Sequence, residues 1–200
     1  DVVLELSSFQ LADLDRIQFR PSVAVVTNLT PNHLDWHDSL DNYRTAKQTI
    51  VRRQRADDVA VLNADDPDVR DWPTQARRVY FGAGELPGAG LSLSDTNWPF
   101  AEWLKVPGRH NQMNAAAASL AALAVGLSRT DIEAALRTYQ ALPHRLEFVG
   151  ELNGRHCYND SIATTPESTI VALDSFTQPI ILLAGGYDKG IDLTAMAHAA

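Results

Sequence analysis

Asp1-Val2-Val3-Leu4-Glu5-Leu6-Ser7-Ser8-Phe9-Gln10-Leu11 opens on a short apolar pattern with a carboxylate, Glu5, in its middle, then breaks into two serines and a glutamine. Val2, Val3, Leu4 and Leu6 read as a parallel strand buried on both faces, where an unpaired Glu5 is costly. Two readings follow. A metal ion at the strand's C-terminal end neutralises Glu5, or Glu5 faces water from an edge strand. The run leaves both open.

Outward from this stretch, the pattern is α/β. Strands are expected at Val23–Asn28, Val59–Asn63 and Arg78–Phe81, with connections long enough to cross over a parallel sheet. A helix is expected from Leu40 to Arg55, with Ser39 as N-cap and Asp41 and Asn42 in its first turn. Between Gly82 and Lys105 a Gly-, Pro- and Ser-rich stretch reads as an antiparallel excursion. Helices are expected at Gln112–Val125, ending near Gly126, and at Asp131–Tyr139 behind a Ser128/Thr130 cap. Leu142-Pro143-His144-Arg145 reads as a linker, because proline disfavours helix in the residue before it. A fresh α/β pattern follows: strands at Leu146–Glu151 and His156–Asn159, a helix at Pro166–Phe176, and a strand at Ile180–Ala184 leading into Gly185-Gly186. Two domains are expected, 1–142 and 143–200.

Hydrophobic content of 45% and charged content of 21% suit a packed core and argue against wholesale disorder. A net charge of −8 argues against nucleic-acid binding, which needs clustered Lys and Arg. Arg52, Arg53 and Arg55 form the one dense basic cluster and read as a solvated helix end. The single cysteine, Cys157, excludes an internal disulfide, lacks zinc-site spacing and reads as a buried strand residue. No apolar run approaches about 18 residues, so no membrane association is expected, and the chain reads as cytoplasmic.

Several separated blocks carry a family resemblance. They are Glu5 to Leu11, Leu29-Thr30-Pro31-Asn32-His33-Leu34-Asp35-Trp36-His37-Asp38, Tyr43-Arg44-Thr45-Ala46-Lys47, Asn63-Ala64-Asp65-Asp66, Gly108-Arg109-His110-Asn111, Leu142-Pro143-His144-Arg145, Asn159-Asp160-Ser161 and Gly185-Gly186-Tyr187-Asp188-Lys189-Gly190. In this order they resemble the Mur ligases, ATP-dependent amino-acid ligases of peptidoglycan precursor synthesis. The resemblance implies a partial P-loop-type ATPase domain over 1–142, followed by the N-terminal part of a Rossmann-like, amino-acid-binding C-terminal domain over 143–200. The family's GxxxxGK[ST] loop is absent from these 200 residues and is expected upstream, so the chain is expected to be a piece of a longer enzyme, inactive alone.

The resemblance also assigns residues. Glu5, His33 and Lys47 match positions at the phosphoryl-transfer centre that hold Mg²⁺, Lys47 as a carbamate formed with CO₂. Carbamylation needs a neutral amine and turns a cation into an anion with two oxygens. An ordinary surface lysine and a loop-satisfying histidine are the plain alternatives, and His33, Asp35 and His37 together could instead bind a transition metal. Asn111 and Asn114 match an HNxxN pattern facing the ATP base, the alternative being helix capping. Arg145 matches a phosphate contact, and Asp160 a ribose contact or a plain turn former. Ser7 and Gln10 match muramoyl-substrate positions; Thr164 and Lys189 match the amino-acid pocket. One departure stands out: glutamate-adding members often carry lysine where this chain has Ile162.

The Glu-Leu-Ser-Ser-Phe-Gln-Leu wording is most like members that join glutamate to UDP-N-acetylmuramoyl-L-alanine through an acyl phosphate. The substrates so implied are that nucleotide sugar, glutamate and ATP, and a monomer is expected. A sister or folylpolyglutamate-type ligase, or a non-catalytic nucleotide-binding paralogue, are the alternatives.

Overall fold

A computed structural model describes residues 2–31, 33–82, 98–187 and 190–200, with the backbone of residues 91 and 92. The chain divides into two compact units, Asp1–Trp98 with Asn114–Ile132, and Pro99–Met113 with Glu133–Ala200.

The first unit is built on a parallel sheet of β1 (Val23–Val26), β2 (Val59–Asn63), β3 (Arg77–Phe81) and β4 (Leu91–Ser92), in that order. Paired on both sides, β2 buries four successive residues, Val59 to Leu62. Its unbroken apolar run suits a strand covered on both faces, each fully buried Val or Leu contributing about 1.5–3 kcal/mol. Trp72 and Tyr80 complete the core with Val51 and Val69. Trp72 stays in that core because its indole N–H donates to Asp68 at 2.8 Å, while Asp68 also receives Arg44.

Around the sheet lie α1 (Ser8–Leu14), α2 (Leu34–His37) and α3 (Leu40–Arg52). As expected, Ser39 caps α3, its Oγ accepting from the Asn42 N–H at 3.1 Å. α3 ends at Arg52 rather than Arg55. The chain turns there because the Arg55 N–H goes to Asp58 at 2.7 Å and the Gln54 amide donates to the Pro21 and Val59 carbonyls. The arginine cluster is exposed, as expected, and Arg52 and Arg53 also pair with Asp15 at 3.2 and 3.0 Å.

α4 (Phe100–Trp103), α5 (Arg109–Ala124) and α6 (Arg129–Thr138) follow, α6 behind a Ser128 cap. β5 (Glu147–Leu152) and β6 (Arg155–Asn159) form an antiparallel hairpin in the second unit, with α7 (Pro166–Leu173) and α8 (Thr194–Ala199) after it. Cys157 lies on β6 as expected, though half-buried.

Three expectations fail. Val2–Leu6 is not a strand; Val2 and Val3 are 82% and 97% exposed. Ile180–Ala184 is not a strand either, and Leu183 is 92% exposed. Both runs have the apolar composition of a buried strand, but among the described residues neither finds a strand to pair with. Water then takes their backbone groups instead of a ladder. Third, β4 pairs parallel to β3, Val79 opposite Leu91, not as the antiparallel excursion expected between Gly82 and Lys105.

Candidate functional site

In the first unit a cavity of about 440 Å³ is lined by Glu5, Leu6, Ser7, Ser8, Phe9, Gln10, His33, Tyr43 and Lys47. Five residues singled out from sequence meet there: Glu5, Ser7, Gln10, His33 and Lys47. Two chain segments build the opposing walls. One is the stretch entering α1. The other is the loop after β1 with α2 and α3.

The first wall is shaped by a capping box. Ser7 Oγ accepts from the Gln10 N–H at 3.3 Å, and Gln10 Oε1 accepts from the Ser7 N–H at 2.8 Å and the Ser7 hydroxyl at 3.0 Å. The box uses the Gln10 oxygen and leaves its NH₂ as the donor free for a ligand among the described residues. Glu5, just before the box, is exposed. Its charge is hydrated, so burial does not call for a counter-ion, contrary to the buried-strand expectation.

The second wall begins at His33, held at φ +52 and packed against Phe9 with ring centroids 5.1 Å apart. Lys47 is half-buried on the inner side of α3, one turn after Tyr43, and its Nζ lies 5.3 Å from the centre of the Tyr43 ring. His37 is fully engaged in the interior: buried, with Nε2 2.9 Å from Ser8 Oγ. That leaves the His33/Asp35/His37 transition-metal alternative without its third ligand. Among the described residues no three His, Cys, Asp or Glu side chains could together hold a metal ion. The donor set nonetheless fits Mg²⁺ on one condition. Glu5 offers carboxylate oxygens and His33 an imidazole, a Lys47 carbamate would add oxygens, and waters and phosphate oxygens ordinarily complete a magnesium shell.

The second unit holds a separate constellation. The expected linker is a tight turn. Arg145 N–H donates to the Leu142 carbonyl at 3.1 Å, and His144 and Leu146 sit at φ +64 and +44. The loop after β6 pins it: Leu146 N–H donates to Asp160 Oδ1 at 2.9 Å, and Ile162 N–H to the His144 carbonyl at 3.2 Å. Asn159 Oδ1 accepts from the Ser161 N–H, which turns its NH₂ toward His144 Nδ1 at 2.8 Å, so that nitrogen accepts. Asp160 thus does serve as a turn former, with Arg145 exposed beside it. His110 is the residue that sequence reasoning passed over here. Burial pushes it below its ordinary pKa, Asp160 opposes and Arg145 adds to the shift, leaving a neutral imidazole at pH 7.

Asn111 does not cap α5, which starts two residues earlier; its amide donates to the Pro107 carbonyl at 2.6 Å. Asn114 follows one turn later on α5 and is exposed. Thr164 is exposed just before Thr165, the residue that caps α7. Lys189 lies outside the described residues, as does Asn32.

Comparison with known proteins bears on the family and the fold. The Mur ligase middle domain model matches residues 1–122. A UDP-N-acetylmuramoylalanine–D-glutamate ligase of Hydrogenobaculum sp. (strain Y04AAS1) is 40% identical over 200 residues, covering 98% of this chain and 48% of the relative. The enzyme of that name from Geobacillus kaustophilus is 42% identical over 199 residues, covering 94% and 44%. The chain therefore spans about half the length of the curated relatives it matches. Among solved structures, MurF from Acinetobacter baumannii superposes with a TM-score of 0.62 at 24% identity, covering 86% of this chain and 40% of that one. MurF from Thermotoga maritima in complex with ADP gives 0.60 at 19%, covering 82% and 40%. At such identities these two speak for the fold alone.

Proposed function

The chain belongs to the Mur ligase family, and on that premise we propose that the protein it forms part of joins glutamate to UDP-N-acetylmuramoyl-L-alanine at the expense of ATP. The observation that carries this is the meeting of Glu5, Ser7, Gln10, His33 and Lys47 around one cavity. The D-form of glutamate follows the names of the relatives.

In this reading an oxygen of the acceptor carboxylate attacks the γ-phosphorus of ATP, ADP leaves, and an acyl phosphate remains. The glutamate amine, having lost a proton, attacks the acyl carbon, and the tetrahedral species collapses to amide and phosphate. Mg²⁺, when bound, neutralises charge on the transferring phosphoryl group. Glu5, His33 and a carbamylated Lys47 would hold it. Gln10 NH₂ and the Ser7 hydroxyl orient the acceptor. Asn111 and Asn114 face the base, Arg145 the phosphates and Asp160 the ribose. Thr164 and Lys189 receive glutamate; with Ile162 uncharged and half exposed, Lys189 carries more of that recognition.

The domain boundary belongs at Pro143, residues 1–142 being ATP-binding and 143–200 amino-acid-binding. The protein acts as a cytoplasmic monomer; no helix of the described residues is long and apolar enough to cross a membrane.

The test uses the full-length protein. Phosphate release should require the nucleotide sugar, glutamate and ATP together. Lys47→Ala should abolish it, and a short carboxylic acid should partly restore it by supplying the missing oxygens. Release without the nucleotide sugar, or full activity in Lys47→Ala, overturns the reading.

A further inference from the structure

We propose that His37 is a positioning residue that sets the separation of the two cavity walls, and through it the affinity for the muramoyl acceptor. This rests on the function proposed above. His37 and Ser8 are 5% and 4% exposed, and their 2.9 Å hydrogen bond joins residues far apart in sequence.

Each partner is rigidly placed. Ser8 is the first residue of α1 and lies within the Ser7–Gln10 capping box, so its position follows that of the acceptor-facing groups. His37 closes α2, and its carbonyl accepts from Asn42 Nδ2 at 2.9 Å, coupling it to the first turn of α3. Its ring meets Tyr43 at 5.2 Å, the ring that Lys47 covers. It also stacks on Phe9 at 5.5 Å, and Phe9 packs in turn on His33. His37 therefore touches both walls without lining the cavity itself.

Phenylalanine would match the ring's shape but leave the Ser8 hydroxyl buried and unpaired, a cost relieved by shifting α1 outward toward water. A shift of that kind moves Ser7 and Gln10 relative to His33 and Lys47, and binding geometry is sensitive on the scale of about 1 Å. Glutamine places an amide where the imidazole carries Nε2, so it can keep the bond.

The experiment measures both Michaelis constants in the full-length protein. The unaltered protein is assayed first: no turnover with the muramoyl acceptor refutes the proposed function. Given turnover, His37→Phe and Ser8→Ala should each raise the acceptor KM about tenfold with the ATP KM within about twofold. The double variant should stand below both single variants, not a hundredfold up, because removing both partners leaves no buried group unpaired. His37→Gln should recover most of the loss. Equal rises in both constants that track the melting temperature, multiplying effects in the double variant, or an unmoved acceptor KM would each overturn the role. If His37→Phe does not fold, Ser8→Ala and His37→Gln decide the matter alone, alanine being well tolerated in a helix.

Discussion

Gly108→Ala should destabilise the second unit and weaken ATP binding together. Gly108 sits at φ +97, immediately before α5. A Cβ there would fall on the Ser175 hydroxyl and lie 2.6 and 2.7 Å from His110 Cε1 and Nδ1. Ser175 is not free to swing away, since its hydroxyl donates to the Val171 carbonyl at 2.8 Å. Left-handed backbone costs alanine about 1–2 kcal/mol, and forced overpacking adds about 1–3 kcal/mol. The expected loss is therefore about 2–5 kcal/mol. Gly154, at φ +74 in the β5–β6 turn, has nothing within 4 Å of the same added carbon, so Gly154→Ala isolates the backbone part, about 1–2 kcal/mol. Hydrogen exchange at the α7 amides reports on the unit both glycines belong to. Because the added methyl displaces His110 beside Arg145 and Asp160, the ATP KM should rise in Gly108→Ala and stay put in Gly154→Ala. Equal losses in the two variants would refute the close-approach reasoning.

Asn114→Ala should raise the ATP KM by the equivalent of about 1–3 kcal/mol with little change in melting temperature, since the side chain is exposed; a normal KM with a large stability loss would refute its role at the base. Acid stability should depend on Asp58, whose carboxyl is held below the usual range by hydrogen bonds from Arg20, against the opposing effect of burial, with help from the Arg55 N–H. A depressed folded pKa gives stability that is complete above the unfolded value near 3.9 and is lost as pH falls through the lower folded value. Urea midpoints between about pH 5 and 2 should therefore fall less steeply in Asp58→Asn than in the unaltered protein; parallel curves would refute it.

What the sequence determined by itself is the set of elements whose signals are local. The unbroken apolar run of Val59–Asn63, the Ser39 cap with Asp41 and Asn42 behind it, and the alanine-rich stretch opening near Gln112 all became the expected strand and helices, within a few residues. Propensity, capping and periodicity act over one or two turns, so they can be read without knowing what lies across the chain. Spaced motifs likewise pointed to Glu5, Ser7, Gln10, His33 and Lys47. Val2–Leu6 and Ile180–Ala184 had equally good strand composition and formed none, because a strand exists only by pairing and no local pattern supplies the partner. The tertiary structure alone decided that Glu5 is hydrated, that Gln10 spends its oxygen on Ser7, and that His37 is buried with its Nε2 against the Ser8 hydroxyl. Each of these turns on which groups water can reach and which hydrogen-bond partners the fold brings within about 3 Å, and only packing of distant segments settles that.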